Sequence, residues 1–131
     1  VKKSKKKFEV VIESYGIYTQ WRSNDRELPK IVEFTNVIRA YEGNEFGMIL
    51  RIRRGKGVKL DYYVKRPVIQ KGGNFIENDF GGKHIVRSND YKFFVGDCID
   101  PPVKEKLGEW IISIYSEGIL LAEKTFKVVM T

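Results

Sequence analysis

Apolar and polar side chains alternate with a two-residue period along most of the chain. This is the pattern of strands that bury one face of an antiparallel sheet and expose the other. Val58, Leu60, Tyr62 and Val64 alternate with Lys59, Asp61, Tyr63 and Lys65. The preceding run places Phe46, Met48, Leu50 and Ile52 on one face and Gly47, Ile49, Arg51 and Arg53 on the other. Between them lies Arg54-Gly55-Lys56-Gly57, whose glycines tolerate the positive φ of a tight turn. A central β-hairpin with a basic tip is therefore expected.

The segment from Gly108 to Met130 reads as a second hairpin. Trp110, Ile112 and Ile114 share one face, Gly118 supplies the turn, and Phe126 and Val128 point inward while Thr125 and Lys127 point outward. A first strand runs from Phe8 to about Tyr18, with Phe8, Val10 and Ile12 inward and Gly16 marking a bulge or a close backbone approach. Pro29 introduces a β-branched stretch, Lys30 to Tyr41, expected as one strand after a polar loop from Arg22 to Leu28. Gly72-Gly73, Asn74, Asn78, Asp79 and Gly81-Gly82 give Pro67 to Lys83 turn chemistry, after which Ile85-Val86 suggests a short strand and Tyr91, Phe93 and Val95 a longer one. Asp100-Pro101-Pro102 breaks the sheet, and Val103 to Leu107 has room for a single helical turn.

Short strands separated by Gly, Pro, Asn and Asp turns, without the spacing of crossover helices, predict an all-β fold. The expected architecture is an antiparallel β-sandwich of about seven or eight strands with an immunoglobulin-like or Greek-key course; a closed barrel is the competing closure. At 131 residues the chain suits one domain, with residues 1–7 as a flexible basic N-terminal tail and residues 8–131 as the sandwich.

Charge changes the picture only locally. Of the formal charge of +7, five units come from Lys2, Lys3, Lys5, Lys6 and Lys7, which leaves 19 basic against 17 acidic side chains in the rest of the chain. Arg51, Arg53, Arg54, Lys56 and Lys59 cluster around the expected hairpin. With the lysine tail they form a candidate surface for a polyanion, a nucleic acid or an anionic membrane, if both lie on one side of the molecule.

Catalytic chemistry is sparse. His84 is the only histidine, which excludes a multi-histidine metal site and leaves a nucleophile with one candidate base. Cys98, the only cysteine, allows no internal disulfide, and Asp97 and Asp100 beside it disfavour its thiolate. The carboxylate pairs Asp25 and Glu27, Glu77 and Asp79, and Asp97 and Asp100 lie among turn formers. Gly82-Lys83 fails as a phosphate-binding loop because Glu77 and His84 stand where Gly and Ser or Thr are required. No catalytic, metal or cofactor-binding residue is assigned, and no enzyme activity or cofactor is expected.

Several short motifs together point to a family. Tyr15-Gly16-Ile17-Tyr18 follows the first strand, Glu45-Phe46-Gly47 opens a central one, and Lys65-Arg66-Pro67 closes the next. Gly108-Glu109-Trp110 then leads to Lys124-Thr125-Phe126-Lys127-Val128. From Val10 to Val129 the chain resembles a family of small bacterial proteins known only as a domain of unknown function. The resemblance implies an immunoglobulin-like β-sandwich in a bacterial protein, cytoplasmic or exported, and carries no catalytic residue over. The expected role is a non-enzymatic binding or accessory module that engages another protein through sandwich loops or a strand edge; the outward positions Ile111, Tyr115 and Lys127 are further candidates. Polyanion or anionic-membrane binding through the tail and basic hairpin is the alternative.

Overall fold

The structure, a computed structural model, describes residues 8–22 and 24–131. Two sheets face each other. The four-stranded sheet has the order β2-β1-β4-β9, built from β1 (Glu9–Tyr18), β2 (Ile31–Phe34), β4 (Glu45–Arg53) and β9 (Asp90–Cys98). The five-stranded sheet has the order β3-β11-β10-β5-β8, from β3 (Val37–Arg39), β5 (Lys59–Lys65), β8 (Phe80–Ile85), β10 (Gly108–Ser116) and β11 (Ile119–Val129). A separate ribbon pairs β6 (Ile69–Lys71) with β7 (Asn74–Ile76). The architecture is the expected immunoglobulin-like sandwich, with more and shorter strands than the periodicity suggests and one parallel pairing, β3 with β11.

The alternating positions fill the space between the sheets. Phe46, Met48, Leu50 and Ile52 from one sheet meet Leu60, Val64, Trp110, Ile112, Ile114 and Phe126 from the other, all fully buried. Phe46 takes Trp110 and Phe126 edge-on at ring separations of 5.0 and 5.5 Å, the arrangement that aromatic quadrupoles favour. The buried Trp110 indole N–H donates to the Lys106 carbonyl at 2.8 Å, which ties the single 3-10 turn Val103–Lys106 to the core.

Three expectations are corrected. β4 and β5 do not form a hairpin: β4 pairs with β1 and β9, β5 pairs with β10 and β8, and Arg54 to Val58 arches from one sheet to the other. Both strands direct their even-numbered side chains into the core, and an arch lets these two rows face each other instead of lying side by side. Asn89, on the neighbouring crossing between β8 and β9, holds the arch by accepting the Arg54 N–H on its carbonyl at 2.7 Å and the Lys56 N–H on its side chain at 3.1 Å. Lys30 to Tyr41 is two strands, since the chain leaves the first sheet after Phe34 and enters the second at Val37. Its turn is fixed by Thr35 Oγ1, which accepts the Val37 N–H at 3.0 Å, and by Asn36, whose carbonyl accepts the Lys127 N–H at 2.8 Å. The stretch expected as turns from Pro67 to Lys83 contains the ribbon and most of β8, and the strand expected at Ile85-Val86 is the end of β8.

A register shift between Ile12 and Ser14 inverts the alternation of β1. Val10 and Ile12 contact the core before it and Tyr15 and Ile17 after it, which leaves Tyr18 on the outer face. There Tyr18, Ile49 and Phe94 form a second small cluster, roofed by Trp21, Leu28 and Ile31. The loop between β1 and β2 thus covers part of the outer face of the four-stranded sheet.

Candidate functional site

β9 is nine residues long and, among the described residues, pairs on one side only, with β4. The direction of its other backbone groups follows from the hydrogen bonds at its two ends. Arg54 N–H donates to the Asn89 carbonyl, and Ile99 N–H donates to the Asn44 carbonyl at 3.0 Å. Hydrogen-bonded positions alternate along an antiparallel pair, so odd-numbered residues of β9 bond β4. The N–H and C=O groups of Asp90, Lys92, Phe94 and Gly96 consequently face away from the sheet. At the end of the strand the Asp97 carboxylate accepts the Cys98 N–H at 2.8 Å and closes the edge.

This edge forms the floor of a groove of about 500 Å3. β8, itself the end strand of the opposite sheet, supplies one wall with Phe80, Lys83 and His84, backed by Tyr62. The loop between β1 and β2 supplies the other with Trp21, Arg26 and Leu28. Trp21 is anchored three ways: its ring meets Phe94 at 5.1 Å, its indole N–H donates to the Glu27 carbonyl at 3.0 Å, and its backbone N–H points to Glu45 Oε1 at 3.4 Å. Beyond Gly96 the groove opens into a hollow of about 570 Å3 lined by Gln20, Arg22, Asp25, Glu45, Asp97 and Cys98.

Burial shifts the titratable groups along the groove. His84 stacks on Phe93 at 4.1 Å and shares a hydrogen bond of 2.6 Å with the Tyr91 hydroxyl; burial, with the nearby Arg87 charge, lowers its pKa. Burial pushes the Cys98 thiol up to about 11, helped by the negative charges of Glu45 and Asp100. A thiol so shifted is mostly protonated at neutral pH. Glu45 is buried and rises to about 7, chiefly by desolvation, which outweighs the Trp21 N–H. Asp97 is also raised by burial, even though Arg66 lies at 3.3 Å. Among the described residues no cluster of three or more His, Cys, Asp or Glu is placed to hold a metal ion.

Arg66 clips the two sheets together at this end of the groove. Its guanidinium donates to the Asn78 side chain at 2.7 Å and to Asp97 at 3.3 Å, and its backbone N–H donates to Asp79 at 2.9 Å. The same guanidinium lies 5.0 Å from the Phe80 ring and 5.8 Å from that of Trp110. A lysine keeps the charge but not the planar fork. Arg66→Lys is therefore expected to lower unfolding free energy by about 1–2 kcal/mol, read as a lower urea midpoint at unchanged slope.

The cations singled out on β4, β5 and the arch between them are dispersed. Arg51 and Arg53 lie on the outer face of the four-stranded sheet and Lys59 on the opposite outer face of the molecule, with Arg54 and Lys56 on the arch between. Arg51 makes a two-point contact with Asp90, both bonds 2.8 Å, and Arg54 lies 3.7 Å from Glu9. Lys2, Lys3, Lys5, Lys6 and Lys7 lie outside the described residues. Ile111 and Tyr115 are half-buried and Lys127 exposed on the outer face of the five-stranded sheet.

The profile of a domain of unknown function, DUF3859, matches residues 6–128, nearly the whole chain. The chain belongs to this family. Membership in DUF3859 agrees with the resemblance carried by the sequence motifs. Among solved structures, the chain is similar to an immunoglobulin-like protein from Pseudomonas aeruginosa, known from a crystal structure at 1.50 Å resolution. The TM-score is 0.68 at 21% identity, covering 92% of this chain and 97% of the other, a likeness of fold. No functionally curated protein matches this DUF3859 chain.

Sequence reasoning missed the groove, although two signals point to it. Phe93-Phe94-Val95 puts three apolar residues in succession, which means cover on both faces of the strand. Trp21 and Leu28 are the apolar residues of an otherwise polar loop, and they provide that cover.

Proposed function

We propose that this DUF3859 domain is a non-enzymatic binding module that receives an extended segment of a partner protein along the free edge of β9. The observation that carries this reading is the long unpaired edge lying at the bottom of a groove with a wall on each side. Strand addition supplies affinity through main-chain hydrogen bonds and specificity through alternate side chains. An open edge is otherwise an aggregation liability that proteins cover or blunt. A walled edge suits a single extended chain, whereas the edge of a second folded sheet brings a layer of its own on each side.

Proline at an outward-facing position removes an edge donor and leaves the ladder to β4 intact. Lys92 is such a position. Heptapeptides selected on the wild-type domain from a random display library are expected to lose at least about tenfold in affinity on Lys92→Pro, with the far-ultraviolet spectrum unchanged. Lys92→Ala, which removes the 2.9 Å ion pair with Glu13 but keeps the N–H, is expected to lose much less. Binding undiminished by the proline, or a library that enriches no sequence, overturns the proposal.

A further inference from the structure

The two ends of the groove differ in charge, and the two sides of its floor differ in polarity. On the sandwich side, Phe93 and Val95 lie among Tyr62, Phe80 and His84. A segment paired with β9 therefore turns alternate side chains into an aromatic, weakly polar slot. Its remaining side chains face the row of Lys92, Phe94 and Gly96, where the charges change sign along the strand. Arg26, Lys83 and Lys92 line the groove, against the single carboxylate of Asp25, which also borders the hollow. Lys83 and Lys92 contact Asp61 and Glu13, at 2.8 and 2.9 Å, while Arg26 has no ion pair among the described residues. Past Gly96 the lining turns acidic, with Asp25, Glu45 and Asp97 against the single cation Arg22. Asp97 is matched by Arg66, but Glu45, 6% exposed, meets only the distant Trp21 N–H.

Resting on the strand-addition reading, we propose that the partner segment is an amphipathic strand of opposite-ended charge. It carries apolar side chains at alternate positions, a cationic residue beside Glu45 and an anionic residue beside Lys92 and Arg26. β4 is antiparallel to both of its neighbours, β1 and β9, and antiparallel pairing is the more stable per residue. The cationic residue of the segment therefore comes first in its sequence. Charge placement at an interface fixes register and direction more than it adds affinity, so the ends of the groove act as a polarity key.

Two peptides of identical composition test this: Val-Lys-Val-Thr-Val-Glu-Val and its reversal Val-Glu-Val-Thr-Val-Lys-Val, both with blocked termini. Titrated against the full chain by fluorescence anisotropy, the lysine-first peptide is expected to bind about fivefold tighter, the factor that one partly exposed ion pair supports. Glu45→Gln is expected to shrink that ratio towards unity by weakening the lysine-first peptide alone, and Lys92→Pro to weaken both. Equal affinities, or preference for the glutamate-first peptide, overturn the charge key; if Lys92→Pro still weakens both peptides, strand addition survives that result. Unchanged binding of both peptides to Lys92→Pro, or binding of neither peptide to the wild-type chain, overturns the strand-addition reading as well.

Discussion

Gly47→Ala is expected to destabilise the domain by about 4 kcal/mol or more, a large part of the roughly 5–15 kcal/mol of a domain of ordinary stability. Gly47 and Gly96 are cross-strand partners in the middle of β4 and β9. A Cβ on Gly47 would stand 2.3 Å from the Val95 carbonyl oxygen and 2.6 Å from the Gly96 Cα, both backbone atoms that cannot swing aside. Its φ of +154° adds strain for any L side chain. Gly57→Ala separates the two causes. Gly57 also has a positive φ, +92°, but a Cβ there meets nothing within 4 Å, so only the conformational cost of about 1–2 kcal/mol remains. Urea unfolding of the two variants checks both. A Gly47→Ala protein that unfolds near the wild-type midpoint would show that the strands separate at little cost, and the groove floor would then be a soft element.

Replacing Glu45 by glutamine is expected to stabilise the protein at pH 8 and to remove part of its pH dependence. The carboxyl is raised to about 7 in the folded state from an ordinary value of 4.5. Between those values the folded state holds the proton more tightly than the unfolded chain, so stability is highest below pH 4.5. It falls as pH rises to 7 and is constant above it as far as this group is concerned. The span corresponds to at most about 3 kcal/mol. Asp97 is raised by burial and acts in the same direction, while the lowered pKa of His84 opposes them, because its stability contribution is lost as pH falls below 6.5. Subtracting the Glu45→Gln stability curve from that of the wild type cancels both. Chemical denaturation at a series of pH values is expected to give a difference that grows from pH 4.5 to 7 in favour of the variant; a flat difference rejects the desolvated carboxyl. On the proposed reading, a cationic side chain of the partner segment arriving beside this carboxyl would recover part of that lost stability.

Some of this was readable from the residues alone and some was not. The inward rows of β4, β5, β10 and β11 follow directly from alternation, because each strand lies with one face on the core. Whether β4 and β5 are hairpin partners does not follow. A two-residue period says which face is buried but not which strand lies alongside, and Arg54 to Gly57 has turn chemistry that suits a hairpin or an arch equally. β8 escaped because Gly81, Gly82 and Lys83 offer no apolar row; only Phe80 and His84 face inward. Lys30 to Tyr41 looked irregular for a physical reason, since the segment changes sheet at Thr35-Asn36 and with it the face that must be apolar. The groove is a property of strand order. Sequence shows that β9 is apolar, and only the tertiary pairing shows that it ends a sheet opposite another end strand, with Trp21 folded over from a loop about 70 residues away along the chain.

The passage of one segment from sheet to sheet at Thr35-Asn36 ties the two layers together along one flank. β2 and β3 are four and three residues long, and each pairs with only three residues of its neighbour, residues 16–18 of β1 and 127–129 of β11. Because the two strands share one short run of chain, sliding one sheet over the other on this side must break the ladder of β2 or that of β3. The segment is a staple that fixes the relative offset of the layers.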